Sequence, residues 1–146
     1  MGMKIYFAGS IRAGRQDQEL YGQLINHLRQ YGAVLTEHVG SPALGWRGDD
    51  GPSDQWIYQR DMAWLTEADL VVAEVSVPSL GVGYELGRAE ALGKEVLCLY
   101  REQADRRLSA MVSGNPQFQV VAYATLLEAT HAIDQFCCSQ SMERSG

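Results

Sequence analysis

The chain of 146 residues has the length of a single domain, and its 46% hydrophobic and 21% charged residues are ordinary for a globular protein. The net charge of -6 argues against a surface that follows a nucleic-acid polymer, because such surfaces need clustered Lys and Arg. No apolar run approaches the ~20 residues needed to cross a bilayer, and no export signal opens the chain. We therefore expect a cytosolic protein without a membrane partner, with a nuclear pool if the cell is eukaryotic.

Strand-like apolar runs alternate with helical periodicities along the chain, which predicts an α/β protein. The predicted strands are residues 4–10, 33–39, 70–76, 95–100 and 118–123. The predicted helices cover residues 16–31 and 54–67, begin near residue 81, and begin again at a capping box over residues 125–128. We expect one catalytic domain over residues 1–138, a long loop over 40–53 that covers the substrate, and a disordered tail over 139–146.

Five strands with intervening helices suit a doubly wound, flavodoxin-like parallel sheet in the order 2-1-3-4-5, with helices on both faces. In that order the first and third strands are neighbours, and ligands bind in the crevice at their carboxyl ends. The glycine-bearing segments AGSIRAGR (8–15) and PSLGVG (78–83) follow these two strands. The sequence therefore predicts a site where the two loops meet.

Glu85 lies at the glycine-rich start of the third predicted helix. A carboxylate near a helix N-terminus is favoured in its charged form, so we expect an ionised nucleophile. A helical wheel directs Val82, Leu86 and Ala89 towards the sheet and leaves Glu85 at the flank of that stripe, within reach of the crevice. The alternative is an acid on the solvated face of a first turn.

Asp61 falls within an apolar stripe that includes Ile57, Trp64 and Leu65. A carboxyl group buried there needs a partner or a proton, and such a placement is typical of a working acid with a raised pKa. An aspartate bound to a buried backbone or arginine group is an equal alternative.

The segment GSIRAGR offers Ser10, backbone amides around Gly9 and Ile11, and the cation Arg12 just before a helix. This combination suits a phosphate group, although it lacks the spacing of a Walker loop. Ser79 in PSLGVG would add a second helix N-terminus to the same site.

Two further residues are candidates for the rim of the crevice. Tyr6 lies on the first strand and His38 near the end of the second. The alternatives are a core tyrosine and a surface histidine. The three cysteines lack the spacing of a zinc site or of a disulfide framework.

The segments YFAGSIRAGR, VLTEHV, ADLVVAEV, PSLGVGYELGRA and RRLSAM resemble the 2'-deoxynucleoside 5'-phosphate N-hydrolases, a branch of the nucleoside 2-deoxyribosyltransferase family. The resemblance covers about Ile5 to Tyr123. It implies cleavage of the N-glycosidic bond of a deoxynucleoside monophosphate, which requires neither a metal nor a redox cofactor. By this resemblance Glu85 attacks C1' to form a covalent intermediate, Asp61 is the acid/base partner, and Tyr6 positions the nucleophile.

The same resemblance implies how the substrate is held. Ser10, Arg12 and Ser79 would bind the 5'-phosphate, and the residues that shape the loops would be Gly9, Ile11, Gly81 and Gly83. Ser109 in RRLSAM would reach the phosphate of a neighbouring subunit, so a homodimer is expected.

The expected substrate is a purine monophosphate such as dGMP, although residues 40–53 match the family poorly and leave the base open. Three other functions remain: a deoxyribosyltransferase, a ribonucleotide phosphoribohydrolase whose PGGxGTxxE loop is loosely similar to PSLGVGYELG, and a nucleotide sensor without turnover.

Overall fold

The computed structural model describes residues 2–11, 14–36, 39 and 52–145. Within them a five-stranded, all-parallel sheet has the order β2-β1-β3-β4-β5, as the sequence predicts. The strands are β1 (Met3–Gly9), β2 (Gly32–Val34), β3 (Leu70–Glu74), β4 (Glu95–Tyr100) and β5 (Phe118–Ala122). The helices are α1 (Arg15–Leu28), α2 (Asp54–Glu67), α3 (Leu80–Ala91), α4 (Ala110–Ser113) and α5 (Leu126–Ser145).

Helices cover both faces of the sheet, and each face has its own apolar core. Because successive side chains of a strand point to opposite faces, β1 sends Phe7 into one core and Tyr6 into the other. Helices α1 and α5 cover the Phe7 face, and α2, α3 and α4 cover the Tyr6 face. The side chain of Tyr6 therefore points towards the helices that carry Asp61 and Glu85.

Side-chain caps fix where three of the helices begin. The Ser53 hydroxyl accepts a hydrogen bond from the Trp56 amide at 3.1 Å, and the Ser79 hydroxyl accepts one from the Val82 amide at 3.2 Å. At α5 half of the predicted capping box is present: the Glu128 amide donates to the Thr125 hydroxyl at 3.2 Å, whereas the Glu128 carboxylate accepts from the Ala124 amide at 3.4 Å.

Strand β2 is shorter than the predicted residues 33–39. It ends at Val34, and the Thr36 side chain then makes hydrogen bonds to the backbone of β1 that a longer strand would make. Its hydroxyl accepts from the Phe7 amide at 2.8 Å and donates to the Phe7 carbonyl at 2.6 Å. The sheet therefore ends early on this side, just where β1 approaches the predicted crevice.

Among the other differences from the sequence prediction, three concern helices. Helix α1 ends at Leu28 rather than Tyr31, because the amides of Gln30 and Tyr31 bind carbonyls three residues back in a tighter turn. Helix α4 was not predicted, since four residues are too few to show a periodicity. Residues 139–145, which the sequence assigns to a disordered tail, extend α5 as far as Ser145 and contain neither Gly nor Pro.

The part of the chain that the structure describes holds no helix with both the length and the apolar character to cross a membrane.

Candidate active site

A cavity of about 220 Å³ opens at the carboxyl end of β1, beside the start of α3. Its described walls come from β1 and its following turn, the Thr36 region, α2 and α3. The lining residues are Tyr6, Phe7, Ala8, Gly9, Ile11, Thr36, Val39, Ile57, Asp61, Ser79, Gly81, Val82 and Glu85. The three residues assigned to bond cleavage, Tyr6, Asp61 and Glu85, thus lie in one cavity at the crevice that the sequence predicts.

A hydrogen bond joins the floor of the cavity to α3. The Tyr6 side chain is fully buried, and its hydroxyl donates to Oε2 of Glu85. Burial, followed by the nearby Glu85 carboxylate, raises the pKa of Tyr6. Tyr6 consequently keeps its proton and acts as a donor that orients Glu85.

The ionisation of Glu85 differs from the sequence expectation. Burial, with a smaller contribution from the Asp61 charge, raises the pKa of Glu85 to about 7, although the hydrogen bond from Tyr6 lowers it. Loss of hydration outweighs the favourable helix end. Glu85 therefore changes charge near neutral pH instead of staying ionised throughout.

Asp61 faces the cavity from α2, but it is not fully buried, since 25% of its side chain is exposed. Its Oδ1 atom accepts a hydrogen bond from Arg60 Nε at 2.9 Å, and a terminal Arg60 nitrogen lies 2.8 Å from the same atom. The expectation of a fully buried acid is wrong because α2 lies at the edge of its core. Both sequence alternatives apply in part: Asp61 is paired with an arginine, and it faces the cavity.

The residues expected around the phosphate divide into three groups. Gly9, Ile11, Ser79 and Gly81 line the cavity, and Ser10 is buried at the end of β1. Ser79 already accepts a hydrogen bond as the cap of α3, but a hydroxyl that accepts still has a hydrogen to donate. Arg12, His38 and most of the expected loop over 40–53 lie outside the described residues.

Gly9 has a packing reason to be glycine. A Cβ atom at this position would lie 3.0 Å from the Tyr21 ring, which packs beneath the turn after β1. The turn can therefore lie directly on α1, which fixes the height of the backbone amides that follow.

Ser109 and Gly83 line a second cavity of about 230 Å³, which shares Ser79 and Val82 with the first. Ser109 caps α4 by accepting from the Met111 amide at 3.2 Å, and Arg106 and Arg107 lie beside it. In its own chain Ser109 is thus not in the cavity that contains Glu85. Its action on a neighbouring subunit stays a prediction.

Sequence reasoning missed a second buried carboxylate, Glu74, at the end of β3, which is 1% exposed. It accepts hydrogen bonds from the Ser76 amide and the Ser76 hydroxyl, both at 2.8 Å, and from the Tyr123 hydroxyl. The Ser76 hydroxyl also accepts from the Arg101 amide at 2.8 Å. This network ties the carboxyl ends of β3, β4 and β5 together, and an acid inside the apolar run LVVAEVS was the signal for it.

Arg60 was also missed, although the sequence places it between two tryptophans at four-residue spacing.

Among the described residues, no group of three or more His, Cys, Asp or Glu side chains is arranged to hold a metal ion.

Comparisons with known proteins agree on a family. The sequence pattern of the family described as nucleoside 2-deoxyribosyltransferase matches residues 5–135. A mouse protein named 5-hydroxymethyl-dUMP N-hydrolase is 58% identical over 124 residues, which cover 82% of this chain and 72% of the mouse protein. The human protein of the same name is 53% identical over 123 residues, covering 82% of this chain and 71% of its own length.

A solved structure has the same fold. The CMP N-glycosidase of Clostridium botulinum superposes with a TM-score of 0.64 at 21% identity, covering 90% of this chain and 98% of the other.

Proposed function

Since the chain belongs to the nucleoside 2-deoxyribosyltransferase family, we propose that it hydrolyses the N-glycosidic bond of a 2'-deoxynucleoside 5'-monophosphate. The products are the free base and 2-deoxyribose 5-phosphate. The protein is an N-glycosidase, as the names of its close relatives indicate. The observation that carries the proposal is a cavity in which the Tyr6 hydroxyl binds the Glu85 carboxylate and which Asp61 also lines.

The reaction proceeds in two displacements. In the first, a Glu85 oxygen bonds to C1', the bond from C1' to the base nitrogen breaks, and the base leaves with that electron pair and with a proton that Asp61 has taken up from solvent. In the second, Asp61 takes a proton from water, the water oxygen bonds to C1', and Glu85 is released. Tyr6 orients the attacking carboxylate throughout.

The charge of Glu85 suits this role. With its pKa raised to about 7 by burial, the carboxylate is a stronger base, and hence a better nucleophile, than an exposed glutamate. It attacks only when ionised, so the rate of the first step falls as the pH falls below about 7.

The 5'-phosphate would lie at the start of α3, where Ser79 and Gly81 line the cavity and the helix dipole favours an anion. We assign Ser10 and Arg12 to the same group, with Gly9 and Ile11 shaping the turn after β1, whereas Gly83 lies within α3.

We further propose a homodimer in which Ser109 reaches the phosphate bound by the partner. Large apolar side chains near the two cavities, Leu80, Tyr84 and Met111, are exposed on the single chain. Exposed apolar surface of this kind is typical of an interface between proteins.

The identity of the base is the open part of the proposal. The sequence expectation was a purine monophosphate such as dGMP, whereas both mammalian relatives are named for 5-hydroxymethyl-dUMP. We favour the pyrimidine, because relatives of more than half identity carry that name.

A product assay tests the proposal. The protein is incubated with 5-hydroxymethyl-dUMP, dGMP, GMP and the corresponding deoxynucleosides, and the released bases are identified by chromatography. We expect release from deoxynucleoside monophosphates, strongest for 5-hydroxymethyl-dUMP, and none from GMP. Release from no deoxynucleoside monophosphate would reject the function, and a preference for dGMP would reject only the choice of base.

Glu85→Gln is the matched variant, because glutamine has almost the same shape and lacks the charge. We expect turnover to fall by at least about 10³-fold. Mass spectrometry of quenched wild-type protein should detect the deoxyribose phosphate ester, and Glu85→Gln should lack it. Adding a second free base separates hydrolysis from transfer, since a transferase would form a new nucleotide.

A further inference from the structure

Arg60 is held between two tryptophan rings of the same helix, α2. Its guanidinium carbon lies 4.9 Å from the centre of the Trp56 ring and 4.7 Å from the centre of the Trp64 ring. Residues four apart are neighbours on a helix surface, so the order Trp56, Arg60, Trp64 stacks a cation between two aromatic faces. Only 17% of the Arg60 side chain is exposed, because the indoles cover it.

The clamped guanidinium contacts the next residue, Asp61. Consecutive helical residues point about 100° apart, so an arginine does not ordinarily meet the side chain that follows it. Here Arg60 Nε lies 2.9 Å and a terminal nitrogen 2.8 Å from the same Asp61 atom, Oδ1. Two donors on one oxygen restrict the rotation of the carboxylate, and the stacked rings restrict the donors.

The charge of Arg60 also acts on the reacting groups. It lowers the pKa of Tyr6, in opposition to the larger effects of burial, Glu85 and Asp61. The described lining of the cavity includes Ile57 and Asp61 from α2 but not Arg60, which contacts Asp61. Arg60 is therefore close enough to influence the reaction without contacting a ligand in the cavity.

We propose that Arg60, fixed between Trp56 and Trp64, is a positioning residue that holds the Asp61 carboxylate in the orientation from which it exchanges protons with the base and with water. This inference rests on the proposed function, and it adds a residue whose action passes entirely through Asp61.

A double-mutant cycle tests this dependence. The variants Arg60→Gln, Asp61→Asn and the two combined are assayed for kcat and KM with 5-hydroxymethyl-dUMP. Loss of an acid/base group costs roughly 10²–10⁴-fold in kcat, which is the expectation for Asp61→Asn. We expect Arg60→Gln to lower kcat by about tenfold with KM changed less than twofold, and to have no further effect when Asp61 is already Asn.

Matched variants separate positioning from folding. Arg88→Gln removes an exposed arginine from α3 and should leave kcat and KM unchanged. Arg60→Lys keeps the charge but not the planar fork, so it should recover part of the kcat lost in Arg60→Gln. Melting temperatures of all variants are measured, and Arg60→Lys replaces Arg60→Gln in the cycle if the latter does not fold.

Equal loss from the Arg60 substitution in the wild-type and Asp61→Asn backgrounds would overturn the inference while leaving the proposed function intact. So would a loss confined to KM, or an unchanged kcat. Absence of turnover in the wild type would instead reject the proposed function. Full activity of Asp61→Asn would reject the role of Asp61, and that of Arg60 with it.

Discussion

At the scale of single residues, the neighbours of Glu85 have opposite effects on its pKa. Burial and the Asp61 charge raise its pKa to about 7, and the Tyr6 hydroxyl lowers it. Activity that needs ionised Glu85 is lost as the pH falls through this value. The acid limb of the rate profile therefore reports the pKa of one side chain.

Substitutions of the two polar neighbours should move that limb in opposite directions. Tyr6→Phe removes the bond that stabilises the carboxylate, so the acid limb of kcat/KM should move to higher pH, by roughly one unit. Asp61→Asn removes a negative charge, so the limb of its residual activity should move to lower pH. The measurement is kcat/KM between pH 5 and 9.

Tyr31→Phe is the control for these two variants, because it removes a tyrosine bond to a carboxylate, Asp134, far from the cavity. Its profile should match the wild type. Shifts of Tyr6→Phe and Asp61→Asn in the same direction would contradict the assignment of the limb to Glu85.

At the scale of elements, α3 contains glycines that its backbone does not require. Gly81 and Gly87 both have helical geometry, and a Cβ atom at either would meet no clash, the nearest contact being Ser79 Oγ at 3.8 Å from Gly81. Gly81 lines the cavity, whereas Gly87 is exposed further along the helix. Of the two positions, 81 is therefore the one where glycine leaves space in the cavity for the proposed ligand.

Alanine at these two positions should separate stability from binding. Gly87→Ala should raise the free energy of unfolding by about 0.5–1 kcal/mol and leave KM unchanged. Gly81→Ala should cost no stability, but it should raise KM for the monophosphate several-fold. Urea unfolding and steady-state kinetics provide the two readouts, and an unchanged KM for Gly81→Ala would place the phosphate elsewhere.

Each hydrogen bond of the Glu74 network at the carboxyl ends of β3 to β5 should contribute more to the free energy of unfolding than an exposed bond of the same kind. Tyr123→Phe leaves a buried carboxylate short of one donor, which should lower the free energy of unfolding by about 1–3 kcal/mol. Tyr31→Phe removes the same type of bond to Asp134, whose side chain is 43% exposed, and should cost less than about 1 kcal/mol. Equal losses in urea unfolding would show that burial does not set the difference.

Elements with strong local signals were predictable from the sequence. Helix α2 has its predicted bounds because the Ser53 cap starts it, and the sheet order follows from the alternation of strands and helices. β2 was overestimated because its end depends on a long-range bond between Thr36 and Phe7, which no local pattern encodes. The contact of Arg60 with Asp61 was missed for a related reason: it depends on how two tryptophans confine a side chain.

The site was predictable in its location more than in its electrostatics. The glycine-bearing loops after β1 and β3 meet as expected, and Tyr6, Asp61 and Glu85 share one cavity. The charge of Glu85 was misjudged because a helix end can be read from the sequence, whereas the loss of water around a side chain depends on the packed fold.

At the scale of the whole molecule, the proposed homodimer makes a prediction about mixed subunits. If Ser109 serves the partner's site, a Glu85→Gln subunit paired with a Ser109→Ala subunit forms one intact site, composed of Glu85 from one chain and Ser109 from the other. Random exchange makes about half of the dimers mixed, so about a quarter of wild-type sites should be restored. The assay is turnover after mixing and re-equilibrating the two variants.

The control mixes Glu85→Gln with Tyr6→Phe. Both substitutions damage the same cavity, so no intact site can form and turnover should equal the mean of the two parents. If turnover of the mixture of Glu85→Gln and Ser109→Ala also equals the mean of its two parents, each chain completes its own site.

Under the proposed function, the early end of β2 bears on two properties that enzymes often have to change together, substrate preference and bond cleavage. Tyr6 is held by the ladder between β1 and β3, and on the other edge of β1 the Thr36 side chain binds the Phe7 backbone where a longer strand would. Completing the sheet at this edge therefore places no strand pattern on the sequence that directly follows Thr36. Under the proposed function, this freedom would let the loop expected over residues 40–53 change with the nucleobase while Tyr6 keeps its place on β1.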